Sequence, residues 1–303
     1  MFSRLGKIIL FSALGFAGVW ACIHLSQTPD PSLSNLIPDF DSKEELVTNK
    51  TESILDYCTE EIRTYDGLTY YLYKPLKLHP AQSYPLIVFY HGGDMHLYKP
   101  GQVLPVCKPM YGVTPAWLKD NPCFMLIPQA PDTWWARGKS WSLLARIHRY
   151  IDQQLCKEFP IDHSRLYTIG YSAGGTGIFH ALAWYPDYYA AAIPIAGWLA
   201  VQETPTDALV KSRTAVWSFS STGDECAAWW ATEDVLRVFT AARGNFKLTK
   251  VPGGHGAPNK AFNAACNGQP YPGAELISTS PSCDLTTQNP LEWLFRQRLP
   301  FKK

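Results

Sequence analysis

The stretch IGYSAGGTG, residues 169–177, sets Ser172 between Gly170 and Gly174, directly after the apolar run RLYTI and directly before AGGTGIFHALAWYP, which reads as a helix. A serine hydroxyl is a weak nucleophile. It gains reach when a sharp strand-to-helix turn lifts it above a sheet, where the first amides of the helix face the negative charge that develops beside it. A side chain at Gly170 or Gly174 would crowd that turn, and the serine itself would hold a backbone strained by about 1 to 3 kcal/mol. The competing reading is a structural Gly-rich turn, which needs flexibility but not this strand-turn-helix setting.

Such a serine needs a base, and the base needs an acid to orient it. Of eight histidines, His24 falls in the apolar N-terminal run, His79, His148 and His163 in surface-like or helical stretches, His180 in the helix after Ser172, and His96 early in the chain beyond HGGD. His91 and His255 remain. His255 follows the last strand-like run, in the Gly-rich loop VPGGHGAPN, while His91 opens HGGD after an earlier run, a place that supplies backbone donors. For the acid, Asp224 lies just beyond the run AVWSFSS, between serine and histidine in chain order. Asp207 follows no strand, Glu225 adjoins the candidate, and Asp234 lies in a helix. The rival role for Asp224 is ordering its own loop. The amides of Gly93 and Ala173 are the candidate oxyanion donors, with Gly92 the alternative to Gly93. Trp134, Trp135, Trp141, Trp229 and Trp230 are candidates for stacking on sugar or aromatic parts of a substrate, with core packing the alternative for each.

Residues so far apart must be gathered by a sheet. Continuous apolar runs end in Gly, Pro or small polar residues at PLIVFYHGG, CFMLIPQA, RLYTIGYS, AAAIPIAGW, AVWSFSS and FKLTKVPGG, as strands buried on both faces of a parallel sheet do. Helix-period segments lie between them. Leu144, Ile147, Ile151 and Leu155 share one face. Thr232 is placed to cap ATEDVLRVFTAAR, with Glu233 and Asp234 in its first turn, and Asn289-Pro290 opens a last helix. EIRTYDGLTYYLYKP holds two β-type runs around Asp66-Gly67, an antiparallel hairpin. The pattern predicts an α/β fold: a mostly parallel central sheet with an antiparallel N-terminal hairpin and helices on both faces. Ligands then sit outside the carboxyl ends of the strands.

With 303 residues, 46% hydrophobic and 14% aromatic, the chain can bury one large core. A net charge of +1 without basic clusters leaves no electrostatic footprint for nucleic acid. Arg4 and Lys7 precede IILFSALGFAGVWACIHL, the order of an export signal. A signal cleaved after Ala21 ranks first, an uncleaved membrane anchor second and a lipidated Cys22 third; each places the folded domain in the periplasm or outside the cell. Residues 1–25 are thus an export segment, 26–55 a polar linker, and 56–303 one folded domain. Eight cysteines in an oxidising compartment suggest disulfides. Cys107 with Cys123 is the first pair and Cys226 with Cys266 or Cys283 the second, against the alternative of buried thiols. No Cys/His spacing suggests zinc, and no metal or organic cofactor is called for.

From about residue 58 to its C-terminus the chain resembles α/β-hydrolase serine esterases, especially the secreted bacterial group of predicted peptidases, feruloyl or acetylxylan esterases and polyhydroxybutyrate-depolymerase-like proteins. The resemblance rests on YPLIVFYHGG, LIPQAP, FPIDHSRLYTIGYSAGG followed by YPDYYAAAIPIAGW, and LEWLFRQRL. It implies the α/β-hydrolase fold, a triad in the order Ser172, Asp224, His255, and an oxyanion hole at Gly93 and Ala173. It also implies cofactor-free hydrolysis of short-chain, aromatic or carbohydrate-linked esters. A serine peptidase of the same fold is the alternative, and a non-catalytic carbohydrate binder a more distant one. Three departures stand out: Ala173 where Met is common, Ser220-Ser221 where His-Gly usually precedes the acid, and no Trp after the base in HGAPN. Residues Phe262 to Asn289 stand as an insertion carrying Cys266 and Cys283, a loop pinned near the site.

Overall fold

The computed structural model describes residues 53–93, 107, 110, 112–131, 134, 140–202 and 204–300, the side chains of Ser140 and Trp141 excepted. The export segment, with Cys22, and residues 26–52 of the linker lie outside the described residues. Within the expected linker, Ser53 caps a short 3-10 turn at Ile54–Asp56.

The hairpin forms as the sequence predicts. Strands β1 (Cys58–Tyr65) and β2 (Leu68–Pro75) pair antiparallel from Tyr65 opposite Leu68 to Cys58 opposite Pro75. Asp66 and Gly67 between them both take positive φ, 49° and 72°, the turn whose twist matches that of the flanking strands.

Each of the six apolar runs is a strand: β3 (Tyr84–Tyr90), β4 (Phe124–Gln129), β5 (Ile161–Tyr171), β6 (Ala191–Ile195), β7 (Ala215–Ser221) and β8 (Phe246–Val251). With β9 (Glu275–Ser278) they form one sheet in the order β1-β2-β4-β3-β5-β6-β7-β8-β9. Neighbours from β4 through β8 run parallel, whereas β2 on β4 and β9 on β8 are antiparallel. Strand β3 explains why the runs are continuous rather than alternating. Every residue in it is buried, with Leu86, Val88 and Tyr90 in one apolar layer and Ile87 and Phe89 in the other. A strand covered on both faces has no polar side to show.

The helices supply those covers. Helices α1 (Pro115–Asp120), α2 (Ser140–Tyr150), α3 (Ala173–Trp184), α4 (Thr206–Lys211), α5 (Trp229–Ala242), α6 (Ala257–Cys266) and α7 (Pro290–Arg296) lie between or after the strands. Leu144, Ile147, Ile151 and Leu155 are all fully buried, and the helix carries this face past Tyr150 by widening into a π turn at Ile151–Leu155. Asn289 caps α7 through its side chain, accepting from the amides of Leu291 and Glu292.

Three expectations are corrected. Thr232 does not cap α5: the helix begins at Trp229, a turn earlier, and Thr232 is buried inside it. The segment from Phe262 to Asn289 is not a pinned loop. It completes α6 and adds edge strand β9, whose Leu276 and Ile277 pair with Thr249 and Leu248. Neither expected disulfide forms, and all seven described cysteines are thiols. Cys107 and Cys123 sit buried in one apolar layer with Cys58, and burial pushes the Cys107 thiol up to about 12. The three cysteines of the second expected pairing are dispersed: Cys226 lies in the loop after Asp224, Cys266 beside Gly112, and Cys283 under β8, donating to the Phe246 carbonyl at 3.3 Å.

Candidate active site

Ser172 stands between the end of β5 and the start of α3 with φ 56° and ψ −118°, a conformation unfavourable for any residue with a Cβ. Its neighbours enforce it. The Ser172 amide donates to the Ile195 carbonyl at 2.8 Å, tying the turn to the end of β6. A Cβ on Gly174 would lie 1.9 Å from the Tyr90 carbonyl oxygen, and one on Gly170 would lie 2.7 Å from the Gly174 carbonyl carbon. The flanking glycines are therefore required by close backbone packing, not by flexibility.

The elbow aims the hydroxyl at His255. Ser172 Oγ is 2.7 Å from His255 Nε2, and His255 Nδ1 is 2.9 Å from both carboxylate oxygens of Asp224. A carboxylate only accepts, so Nδ1 carries the proton and Nε2 presents its lone pair to the serine hydroxyl. The Asp224 side chain is 1% exposed, and its Oδ1 also accepts from the amides of Cys226 at 2.8 Å and Ala227 at 2.7 Å. The loop-ordering role and the imidazole-orienting geometry thus coexist in one side chain. The histidine loop is braced from three sides. The His255 amide donates to Glu225 Oε2 at 3.1 Å, Tyr171 donates to the His255 carbonyl at 3.3 Å, and Ser221 donates to the Gly254 carbonyl at 3.1 Å. Ser221, a departure from the pattern of the resembled group, is one of these braces.

At the end of β3, His91 is buried and fixed at both ring nitrogens. Its Nε2 accepts from the Ala130 amide at 2.9 Å, so its proton is on Nδ1, which donates to the Gly92 carbonyl at 2.6 Å. The Gly92–Gly93 peptide is planar and trans, so holding its carbonyl toward the imidazole turns the Gly93 N–H the opposite way. Gly93 lies beside the elbow, where a Cβ on it would meet the Ala173 Cβ at 3.8 Å. Ala173 opens α3, where the first amides have no intrahelical acceptor.

The five tryptophans separate. Trp134 is fully buried, donates its indole N–H to the His91 carbonyl at 2.8 Å and packs against the Tyr90 and His91 rings. Its expected stacking on a ligand is corrected, because no face of the ring is open; it is a strut under the HGG loop. Trp135 and the side chain of Trp141 lie outside the described residues. Trp229 is half-buried and donates to Glu233 at 2.8 Å, and Trp230 is exposed in the first turn of α5.

A small pocket opens at the serine, lined by Ser172, Ala173, Thr176, Ala196, Trp198, Cys226, Ala227 and His255. Sequence reasoning misses Trp198, although its place just past the end of β6 is the signal that singles out Ser172 at the end of β5. One set of described side chains is close enough to hold a metal ion, Asp224, Cys226 and His255, with one ligand atom each within 4.8 Å of the others. Two of these are already joined by the hydrogen bonds that orient the imidazole.

No protein-family profile matches the chain, and no curated protein matches it. Solved structures do. A thermostable esterase superposes with a TM-score of 0.62 at 23% identity, over 81% of this chain and 64% of its own. A protein described as a putative dipeptidyl aminopeptidase IV from Bacteroides ovatus gives 0.56 at 16%, over 70% of this chain and 35% of its own. S-formylglutathione hydrolase from Staphylococcus aureus gives 0.54 at 13%, over 69% of this chain and 97% of its own. The chain thus spans under two thirds of the first two. Given the strand order, the serine at the β5–α3 elbow and these structural neighbours, the chain has the α/β-hydrolase fold.

Proposed function

We propose that the protein is a serine carboxylic-ester hydrolase working through a covalent acyl-enzyme. The observation that carries this is the unbroken hydrogen-bonded line from Ser172 Oγ through the His255 imidazole to Asp224, at 2.7 and 2.9 Å. In the first half-reaction Oγ bonds to the ester carbonyl carbon as its proton passes to Nε2. The carbonyl oxygen takes up the electron pair as an oxyanion facing the Gly93 and Ala173 amides. The tetrahedral species then collapses, the carbon–oxygen bond to the alcohol breaks, and the imidazolium returns its proton to the departing oxygen. Water repeats the cycle on the acyl-serine and releases the acid. Asp224 keeps the proton on Nδ1 and stabilises the transient imidazolium. No step needs a metal or organic cofactor.

The test is labelling with a fluorophosphonate probe beside turnover of p-nitrophenyl acetate. Wild type is labelled at Ser172; Ser172→Ala abolishes labelling and turnover, and His255→Ala strongly reduces both. An unlabelled, inactive wild type refutes the reading. Matched p-nitroanilides decide against amide hydrolysis if they turn over far more slowly than the esters. The N-terminal run extends the proposal to an exported enzyme, which cell fractionation of the full-length chain checks.

A further inference from the structure

We propose that Trp198 sets the size of the acyl group this site accepts, and that the acyl group is short, of acetyl to butanoyl size; the proposal rests on the serine-hydrolase reading of Ser172. Three consecutive residues after β6 are each tied down. Ala196 holds φ 48°, unusual for a residue with a Cβ, while its amide donates to the Phe219 carbonyl at 2.8 Å. Gly197 lies against α3 so closely that a Cβ there would sit 2.4 Å from the Gly175 carbonyl carbon. The Trp198 amide donates to Thr176 Oγ1 at 3.1 Å. A strained backbone persists where its surroundings over-determine it, and what these ties position is Trp198 in the wall of the serine pocket.

The chemistry assigns that wall to the acyl side. Around the attacked carbon, the oxyanion points to Gly93 and Ala173, toward β3 on one flank of β5. The leaving oxygen must lie against His255 Nε2 to receive its proton. The acyl substituent takes the remaining direction, toward β6 and β7 on the other flank, where Ala196, Trp198, Cys226 and Ala227 bound the pocket. This pocket has a cavity volume of about 20 Å³. Sites for drug-sized ligands run to about 300–1,000 Å³, so it leaves room only for a small group. Beside the triad's serine and neutral imidazole the lining is alanines, a cysteine, a threonine and a tryptophan, with no charged side chain, which fits a short apolar acyl chain.

The experiment measures kcat/KM for p-nitrophenyl acetate, butanoate and octanoate, with fluorophosphonate labelling alongside. Each methylene that the pocket cannot place costs about tenfold or more, so wild type prefers acetate and butanoate strongly over octanoate. Trp198→Ala raises the octanoate-to-acetate ratio by about tenfold or more. Ala227→Val narrows the same pocket and lowers the butanoate-to-acetate ratio, so the proposal does not depend on one variant folding. A labelled wild type that takes octanoate as readily as acetate, or ratios unmoved in both variants, overturns the acyl assignment alone. A wild type that is neither labelled nor active overturns the serine-hydrolase reading, and this assignment with it.

Discussion

Replacing His91 with alanine separates positioning from chemistry at this site. His91 touches neither Ser172 nor Asp224 through any hydrogen bond described above; it holds the Gly92 carbonyl at 2.6 Å and receives the Ala130 amide at 2.9 Å. Alanine removes both contacts. Under the proposed mechanism the Gly93 N–H then loses the hold that turns it toward the oxyanion, and loss of one such donor typically costs about 2.7 to 4 kcal/mol of transition-state stabilisation, or about 10² to 10³ in kcat. The Ala130 amide is left without its partner in a buried place, which costs about 1 to 3 kcal/mol of stability. The expected signature is a kcat for p-nitrophenyl acetate down by two orders of magnitude or more with KM little changed, and a lowered but cooperative thermal transition. Fluorophosphonate labelling of Ser172 should slow but persist, because the Ser172–His255–Asp224 line is intact. The reasoning is refuted if His91→Ala keeps wild-type kcat, or if labelling is abolished as completely as in Ser172→Ala while the protein remains folded.

Gly174→Ala would drive a methyl to 1.9 Å from the Tyr90 carbonyl oxygen, so β3 and the elbow must part. Misplacement on the scale of 1 Å costs about 10² in rate, and an unchanged kcat and melting temperature would contradict the close packing described. His148 is buried against the Tyr185 and Tyr188 rings, and burial lowers its pKa from 6.5 to about 3. The unfolded chain therefore binds more protons than the folded one below the unfolded value. Stability should be full above pH 6.5 and fall as pH drops toward 3, by up to about 1.4 kcal/mol per pH unit for this group. Urea unfolding at pH 7.5, 6 and 5 checks this, with His148→Phe giving the shallower slope; parallel slopes would refute it. His180 shifts in the same direction through burial and steepens both curves equally. With seven described cysteines as thiols, a reductant should leave the melting temperature of the folded domain unchanged, and intact mass should show no loss of hydrogens; a reductant-sensitive transition would contradict the thiol assignment.

Most strands were legible because burial on both faces leaves an apolar run that no surface element tolerates, as β3 and β6 demonstrate. The start of α5 was not, because Thr232 has the chemistry of a cap and only packing shows that the helix already covers Trp229 and Trp230 in the turn before. Trp134 stays open between ligand stacking and core packing in the sequence for a related reason. A tryptophan in a loop has the same composition signal whether it faces a ligand or a carbonyl beneath it, and here the His91 carbonyl takes its N–H. The cysteine pairings failed because spacing along the chain says nothing of where thiols lie after folding.

Read alone, the sequence specifies eight of the nine strands, the elbow and the identity of the side chains that meet there. Periodicity and glycine placement are local consequences of steric rules, and the order serine, aspartate, histidine follows from which strands those residues end. It took the packed chain to show that the three meet at hydrogen-bonding distance, that the His91 ring is held between the Gly92 carbonyl and the Ala130 amide, and that Trp198 lines the serine pocket. These depend on contacts between residues tens of positions apart. Such contacts are fixed by the packing of strands and helices whose neighbours in space the chain order does not name.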